Sequence, residues 1–254
     1  MSRLVLVALA LLWSAGARAG WSVSADLEHF RWRESTDPVV TEKGPRYGLS
    51  WEFVGERPSG WQFAYRGQFR RGTVDYDGSF LFTRAPATAR VRYTGLVNEA
   101  QGIYRLADNP VGLEFVGGLG WDYWERNILP DQREDYSLIF ARLGINLDRR
   151  APRGWFGGGG FKLPVYVSEN ARFDEMGFDQ NPRLEPEGRW SVYAQAGYRF
   201  SPAWSLIGYY DSYRLAESRP VAVTTPAAPG TTFFFVQPQS RLDTYGLRLK
   251  YTFQ

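Results

Sequence analysis

Near its C-terminal end the chain reads TYGLRLKYTF over residues 244–253. The odd-numbered side chains from 245 to 253 are all leucine, tyrosine or phenylalanine, and the even-numbered ones are threonine, glycine, arginine or lysine. Successive side chains of a β-strand point to opposite faces, so this period of two predicts a strand with one apolar and one polar face. The apolar face could cover a soluble core or face lipid, and this stretch alone does not distinguish the two.

The same alternation recurs along the chain and predicts ten strands in all. Clear examples are YGLSWEF at 47–53, WQFAYRGQF at 61–69, IFARLGINL at 139–147 and WSVYAQAGYRF at 190–200. The remaining strands are predicted at 21–32, 90–104, 111–121, 155–167 and 204–214. An even number of antiparallel strands lets the last strand pair with the first, as in bacterial membrane barrels.

The connections between these predicted strands alternate in length. Long connections follow the odd strands, at residues 33–45, 73–88, 125–135, 169–189 and 216–240. Short connections follow the even strands, at residues 55–60, 107–110, 148–154 and 201–203. Membrane barrels have short turns on one side and long loops on the other, whereas a soluble sandwich has no reason to sort its loops in this way. The predicted fold class is therefore all-β, a single closed antiparallel up-and-down transmembrane β-barrel of ten strands.

Most charged residues of the predicted strands share the face opposite the apolar band, so they are predicted to line the lumen. Unpaired charges are costly in a dry core, whereas a hydrated lumen lets them pair or remain wet. Because the last strand must pair with the first, Asp26 and Glu28 are expected to form salt bridges with Arg248 or Lys250. The predicted lumen-lining charges are Asp26, Glu28, Glu52, Arg66, Arg70, Arg90, Arg92, Glu114, Asp122, Arg142, Lys162, Arg199, Arg248 and Lys250.

Residues 1–19 have the pattern of a secretory signal peptide. Arg3 precedes an apolar run from Leu4 to Trp13, and the segment ends on the small-x-small triplet Ala17, Arg18, Ala19. The run is about half as long as a membrane-spanning helix requires. We therefore predict a signal peptide at 1–19 and one barrel domain at 20–254, exported after cleavage.

Composition predicts a folded chain with no strong charge preference. With 44% hydrophobic and 17% aromatic residues the sequence is too apolar for a disordered protein. Lysine and arginine total 30 against 27 acids, a net charge of +3, and removal of the two arginines of the signal peptide leaves +1. This balance indicates no acidic partner, and no nucleic-acid partner is predicted.

Two stretches resemble Gram-negative outer-membrane β-barrel proteins of the small-barrel type that includes OmpA-like membrane domains. They are the strand-turn-strand GYRFSPAW at 197–204 and the aromatic-ended YTF at 251–253, and the resemblance covers residues 20–254. Such proteins typically end on phenylalanine, which the barrel assembly machinery reads, whereas Gln254 follows Phe253 here. The resemblance implies an outer-membrane location, contact with outer-membrane lipids and lipopolysaccharide, insertion by that machinery, and a monomer.

The residue inventory offers little for catalysis. The chain has no cysteine and one histidine, His29, so thiolate metal sites and thiol nucleophiles are excluded. Omptin proteases, which also have ten strands, need paired aspartates and a histidine near the outer rim, but the parity of His29 places it on the lipid-facing side of the first strand. No catalytic, metal-binding or cofactor-binding residue is predicted.

The predicted function is a structural or surface-interaction role in the outer membrane without catalysis. One alternative is a narrow pore that prefers anions because its arginine-lined lumen is net basic. A second is an enzyme at the rim of the barrel. Phe233, Phe234 and Phe235 form a possible surface patch for a partner or for lipid, or else the upper part of a long tenth strand.

Overall fold

A computed structural model describes residues 20–56, 60–79, 83–106, 111–129, 132–149 and 151–253. The predicted signal peptide lies outside these residues. Among them, no helix is long and apolar enough to cross a membrane. The strands, in chain order, are β1 (Gly20–Glu34), β2 (Val40–Glu56), β3 (Trp61–Ser79), β4 (Pro86–Arg105), β5 (Leu113–Leu129), β6 (Gln132–Leu147), β7 (Gly154–Asn170), β8 (Arg183–Leu184), β9 (Gly188–Arg189), β10 (Ser191–Arg199), β11 (Trp204–Leu215), β12 (Val221–Thr224), β13 (Thr232–Phe235) and β14 (Ser240–Thr252).

Ten of these strands form the barrel wall. Neighbours pair in order from β1 to β7, and the wall continues through β10, β11 and β14. The sheet closes because β14 pairs with β1, with Asp26 opposite Arg248. All of these pairings are antiparallel. The predicted closed up-and-down barrel of ten strands is confirmed.

An apolar belt surrounds the lower part of the wall. On β1, Trp21, Val23 and Leu27 are exposed on the outside, whereas Ser22 and Asp26 are buried on the inside. The same arrangement recurs around the barrel, so a ring of exposed apolar side chains meets the surroundings. We define the apolar belt by the exposed outward residues Trp21, Val23, Leu27, Leu49, Phe69, Leu119, Leu143, Phe161, Leu206, Leu247 and Leu249. An apolar outer band of this kind is typical of barrels that lie in lipid.

Beyond the apolar belt the two faces of the wall exchange polarity. On β1 the arginines at 31 and 33 are exposed on the outside, whereas Phe30 and Trp32 are buried inside. On β4, Val91 and Tyr93 are buried inside, so Arg90 and Arg92 lie on the exposed outer face. The prediction that these two arginines line the lumen is wrong. It assumed that the apolar face points outward everywhere, and this holds only where the wall meets acyl chains.

Three of the predicted long connections are mostly strand. The segment between β1 and β2 spans only residues 35–39, and only residues 130 and 131 separate β5 from β6. The strands β3 and β4 likewise extend to Ser79 and from Pro86. The predicted loops at 33–45, 73–88 and 125–135 are therefore wrong in extent, because the strands continue beyond the apolar belt, where outward side chains are no longer apolar.

The two connections that do remain long, residues 171–190 and 216–239, pack against each other, and we call them the outer cap. Strands β12 and β13 form a separate hairpin within it. Phe235 is buried with Val223 against Phe173, which lies in a 3₁₀ helix at Phe173–Met176, and the rings of Phe173 and Phe235 are 4.5 Å apart. The hydroxyl of Thr224 donates to Asp179 across the cap at 2.7 Å. The cap thus has its own small apolar core.

Two phenylalanines of the run at 233–235 belong to this core. Phe235 is buried and Phe233 is half-buried, whereas Phe234 is 70% exposed. The run does not extend the last barrel strand, because β13 pairs with β12 alone, so that interpretation is wrong. Of the possible surface patch only Phe234 is exposed, since hairpin pairing points alternate side chains in opposite directions.

Replacing Phe235 with serine is expected to disorder the outer cap while leaving the barrel folded. The substitution removes a buried ring and places a hydroxyl in an apolar core. Limited proteolysis of the folded protein in detergent should show faster cleavage within residues 171–190 and 216–239, with unchanged heat-modifiable migration of the barrel on a gel. Phe234→Ser is the matched control. Equal cleavage of the two variants would show that the cap core does not hold these connections.

Candidate functional site

The lumen at the level of the apolar belt contains an ion-pair network that starts at the closing strands. The guanidinium of Arg248 donates from Nε to Asp26 at 2.6 Å, as barrel closure requires. Glu28 instead pairs with Arg46, at 2.8 Å. The amide of Gln68 donates to both carboxylates, at 3.0 Å to Asp26 and 2.9 Å to Glu28. Four strands, β14, β1, β2 and β3, are thereby joined through one buried polar cluster.

The remaining lumen-lining charges of the prediction also point inward and have partners. The ion pairs are Arg66 with Glu52, Lys250 with Glu52, Arg70 with Asp122, Arg142 with Glu99, Lys162 with Asp211, Arg105 with Glu114 and Arg199 with Asp148. Their partners Glu99, Asp211, Arg105 and Asp148 are not among the predicted residues. In addition, the hydroxyl of Tyr213 donates to Asp122 at 3.0 Å. Each of these predicted charges therefore has a partner of opposite sign, and Glu52 is shared by Arg66 and Lys250.

Glycines let large side chains close this space. The ring of Tyr209 lies against Gly246, at a point where a Cβ atom would clash with it, and its hydroxyl donates to Glu28 at 2.8 Å. The ring of Phe140 lies against Gly120 in the same way. Two interior cavities have volumes of about 60 Å³ and about 10 Å³. Such volumes hold at most a few water molecules.

Above the ion pairs an aromatic plug fills the outer half of the lumen. Trp32, Trp124, Tyr136 and Phe140 are each at most 2% exposed and form one cluster with the neighbouring buried side chains. The rings of Trp124 and Tyr136 are stacked with centroids 4.9 Å apart. We call this cluster the aromatic plug. An eight-stranded barrel is just wide enough to be filled by side chains, and this ten-stranded one is filled as well.

A set of four buried glutamates surrounds a single arginine beside the aromatic plug. Arg126 lies in a salt bridge with Glu42, 2.5 Å from Glu134 and 3.5 Å from Glu34. Glu169 is 2% exposed, and one of its carboxylate oxygens has no hydrogen-bond partner among the described residues. We call these five residues the outer carboxylate cluster.

Burial and mutual repulsion raise the pKa values of two glutamates of this cluster, Glu34 and Glu169. Burial raises the pKa of Glu34 to about 7, and the carboxylates of Glu134 and Glu42 act in the same direction against the opposing charge of Arg126. Burial, followed by the charge of Glu134, also raises the pKa of Glu169 well above its ordinary value. One arginine cannot neutralise four carboxylates, so part of the cluster is kept neutral by protonation. The cluster lies outside the membrane-spanning part of the wall.

The sequence alone does not indicate the outer carboxylate cluster. Glu34, Glu42, Arg126 and Glu134 fall within the predicted long connections, and a predicted loop gives no side-chain orientation. A usable signal does exist in the stretch FRWRE at 30–34, where the period of two continues with aromatic and charged residues exchanged. The side chain of Glu34 then shares the inward parity of Asp26 and Glu28.

The single histidine and the aspartates at 75 and 77 lie on the outer face of the wall. His29 is on the outer face of β1, opposite Pro45 and Tyr245 on the adjacent strands. Asp75 and Asp77 are exposed on the outer face of β3, away from the lumen. Within the described ranges, no group of three or more histidine or acidic side chains is arranged to hold a metal ion.

The closed barrel is similar to solved outer-membrane proteins. It matches the outer membrane protease OmpT from Escherichia coli with a TM-score of 0.53 and 13% identity, over 92% of this chain and 96% of that chain. It also matches Ail, the attachment invasion locus protein of Yersinia pestis, with a TM-score of 0.36 and 12% identity, over 93% and 100% of the two chains. Neisserial surface protein A matches with a TM-score of 0.36 and 13% identity, over 92% and 99%.

No protein-family model matches the chain, and no curated protein matches it in sequence. The fold is that of the Gram-negative outer-membrane β-barrel proteins. At 13% identity the likeness to OmpT establishes this fold and assigns no activity.

Proposed function

We propose that the chain is an exported outer-membrane protein whose barrel anchors the outer cap in a structural or surface-interaction role, and that it conducts no solute. The observation that supports this role is the aromatic plug. Trp32, Trp124 and Phe140 come from three strands and meet inside the lumen with almost no exposed surface. Packing of this kind among the described residues favours a closed lumen without a water-filled path.

The arginines do not favour an anion pore. Such a pore needs fixed positive charge that is free to lower the entry cost of an anion. Arg66 and Arg142 each lie 3.2 Å from a carboxylate, of Glu52 and Glu99 respectively. The outer carboxylate cluster adds four glutamates and one arginine to the inner face, which argues against a net-basic lumen.

The proposed role does not include catalysis. His29 faces away from the lumen, and the aspartates at 75 and 77 lie on the outer face of another strand. A general base must come within hydrogen-bond distance of the proton that it removes. These positions offer no shared cleft in which such a step could be organised.

Planar-bilayer recording of the purified protein tests the closed lumen. We expect no steady conductance from the wild-type protein or from Arg142→Ala, because the path is blocked elsewhere. Replacing Trp32 and Trp124 together with glycine removes the two largest side chains of the aromatic plug and should produce a measurable conductance. A steady wild-type conductance whose anion preference changes in Arg142→Ala would contradict the proposal and support the pore.

A further inference from the structure

The outer carboxylate cluster lies where the outer cap joins the barrel wall. Glu34 is the last residue of β1 and Glu169 the last but one of β7, so both stand at the outer end of the wall. Both are nevertheless buried, at 7% and 2% exposed, and so are Glu42 and Glu134. Side chains at an open barrel end would be in water, so another part of the chain covers the cluster.

One half of the cover is Gln237 of the outer cap, which is 4% exposed. Its side chain hydrogen-bonds to Glu34, and its Oε1 lies 3.3 Å from the hydroxyl of Tyr136. The cap holds Gln237 in place, because its N–H donates to the hydroxyl of Ser218 at 2.8 Å and its carbonyl accepts from the N–H of Ser218 at 2.9 Å. A movement of this part of the cap therefore changes the surroundings of Glu34.

The other half of the cover lies over Glu169. This residue pairs with Leu184 of β8, which belongs to the outer cap and is 3% exposed. One carboxylate oxygen of Glu169 is buried without a hydrogen-bond partner in the described part of the chain. The cap thus keeps water away from an oxygen that the wall does not satisfy.

The charged and titratable groups around Glu34 and Glu169 come from every strand between β1 and β7. They are Glu42 on β2, Tyr76 on β3, Tyr93 on β4, Arg126 on β5, and Glu134 and Tyr136 on β6. Tyrosine is neutral over the pH range in question, because its ordinary pKa is about 10 and burial raises it here. The outer cap contributes the uncharged Gln237, and β14 contributes Ser240 opposite Glu34. Arg126 is therefore the one positive charge among these groups.

Ionisation of Glu34 and Glu169 leaves four carboxylates facing one guanidinium. Buried charge without a partner is strongly unfavourable, and contact with water removes the cost. The aromatic plug lies on the inner side of the cluster, and the strands around it are hydrogen-bonded to one another. Water can therefore reach the cluster most readily from the side of the outer cap, where the cover depends on Gln237 and Leu184.

We propose that the outer cap responds to pH, closing over the outer carboxylate cluster while Glu34 and Glu169 carry protons and opening to water when both ionise. This response goes beyond the structural role proposed above, and it depends neither on the closed lumen nor on the membrane location. It makes the outer surface of the protein different in acidic and in neutral surroundings.

The direction of the response follows from the two glutamates. Burial raises the pKa of Glu34 to about 7, although Arg126 and Gln237 act in the opposite direction. Burial also raises the pKa of Glu169 well above its ordinary value. The closed cap therefore holds both protons more tightly than the open cap does. Closure is favoured below about pH 4.5 and is lost as the pH rises through about 7.

Hydrogen exchange of the folded protein in detergent, followed by mass spectrometry of its peptides, tests this response. Division of each exchange rate by that of the unstructured peptide at the same pH leaves the opening equilibrium. Between about pH 4.5 and values above 7, opening at residues 171–190 and 216–239 should increase by up to about 300-fold from Glu34 alone. Amides of β1 to β4 should stay protected throughout.

Glu34→Gln combined with Glu169→Gln keeps both side chains uncharged, so the outer cap should remain protected at every pH. The matched control is Glu185→Gln with Glu187→Gln, which removes two exposed acids of the cap and should retain the wild-type response. Heat-modifiable migration verifies folding, and Glu34→Gln alone, which should retain only part of the response, replaces the double variant if that variant does not fold.

Three results would overturn the proposal. One is cap exchange in the wild-type protein that does not change with pH after the correction. The second is an equal response in the Glu34→Gln variants and in the control. The third is an equal loss of protection in the cap and in β1 to β4, which would show that ionisation loosens the whole barrel.

Discussion

Replacing Arg126 with methionine is expected to lower the free energy of unfolding by about 3–5 kcal/mol. Arg126 is 3% exposed and is the only basic side chain in contact with the outer carboxylate cluster among the described residues. Methionine fills much of its volume but leaves Glu42 and Glu134 buried without a counterion. Urea unfolding in phospholipid vesicles, followed by tryptophan fluorescence, measures the change.

Arg92→Met is the matched control, because Arg92 is exposed on the outer face of β4. Its effect should stay within about 0.5 kcal/mol. The deficit of Arg126→Met should shrink as the pH is lowered, since Glu34 and Glu169, whose pKa values burial raises, are then neutral and the cluster carries less charge without a counterion. Indistinguishable stabilities of the two variants at neutral pH would show that the cluster is neutralised by other means.

A pH-dependent stability of about 3 kcal/mol is expected from Glu34 alone. Its pKa is raised to about 7 from an ordinary value of 4.5, so the folded protein holds this proton more tightly than the unfolded chain. The stabilisation is therefore complete below about pH 4.5 and is lost as the pH rises through about 7. Unfolding free energies of the wild-type protein should fall over this interval.

The variant Glu34→Gln carries a neutral side chain of similar shape at every pH and should remove this contribution. Above neutral pH it should be more stable than the wild-type protein, and at low pH the two should be alike. Glu217→Gln, at an exposed position of the outer cap, serves as the control and should retain the wild-type profile. A Glu34→Gln profile parallel to that of the wild-type protein would contradict the assignment of the proton to Glu34. Glu169 contributes in the same direction, because its pKa is also raised.

The barrel could be predicted because lipid imposes one rule on the outer face. Where the wall meets acyl chains, an outward side chain must be apolar, so the alternation at 244–253 gives both the strand and its orientation. The same rule places Asp26, Glu28 and Arg248 on the inner face of the closing strands, and the structure pairs Asp26 with Arg248 but Glu28 with Arg46. It failed for Arg90 and Arg92, since the wall beyond the belt meets water and the rule no longer applies.

The contents of the outer lumen could not be inferred in this way. Alternation along a strand is a local property, because it depends only on the identities of residues that are close together in the chain. The contacts of Arg126 with Glu42 and Glu134, and the packing of Trp32 against Trp124, join strands that are distant in the chain. They depend on the register of every pairing between those strands and on the width of the closed barrel. Local pattern thus accounts for the wall and the belt, whereas the aromatic plug and the outer carboxylate cluster arise only when the sheet closes.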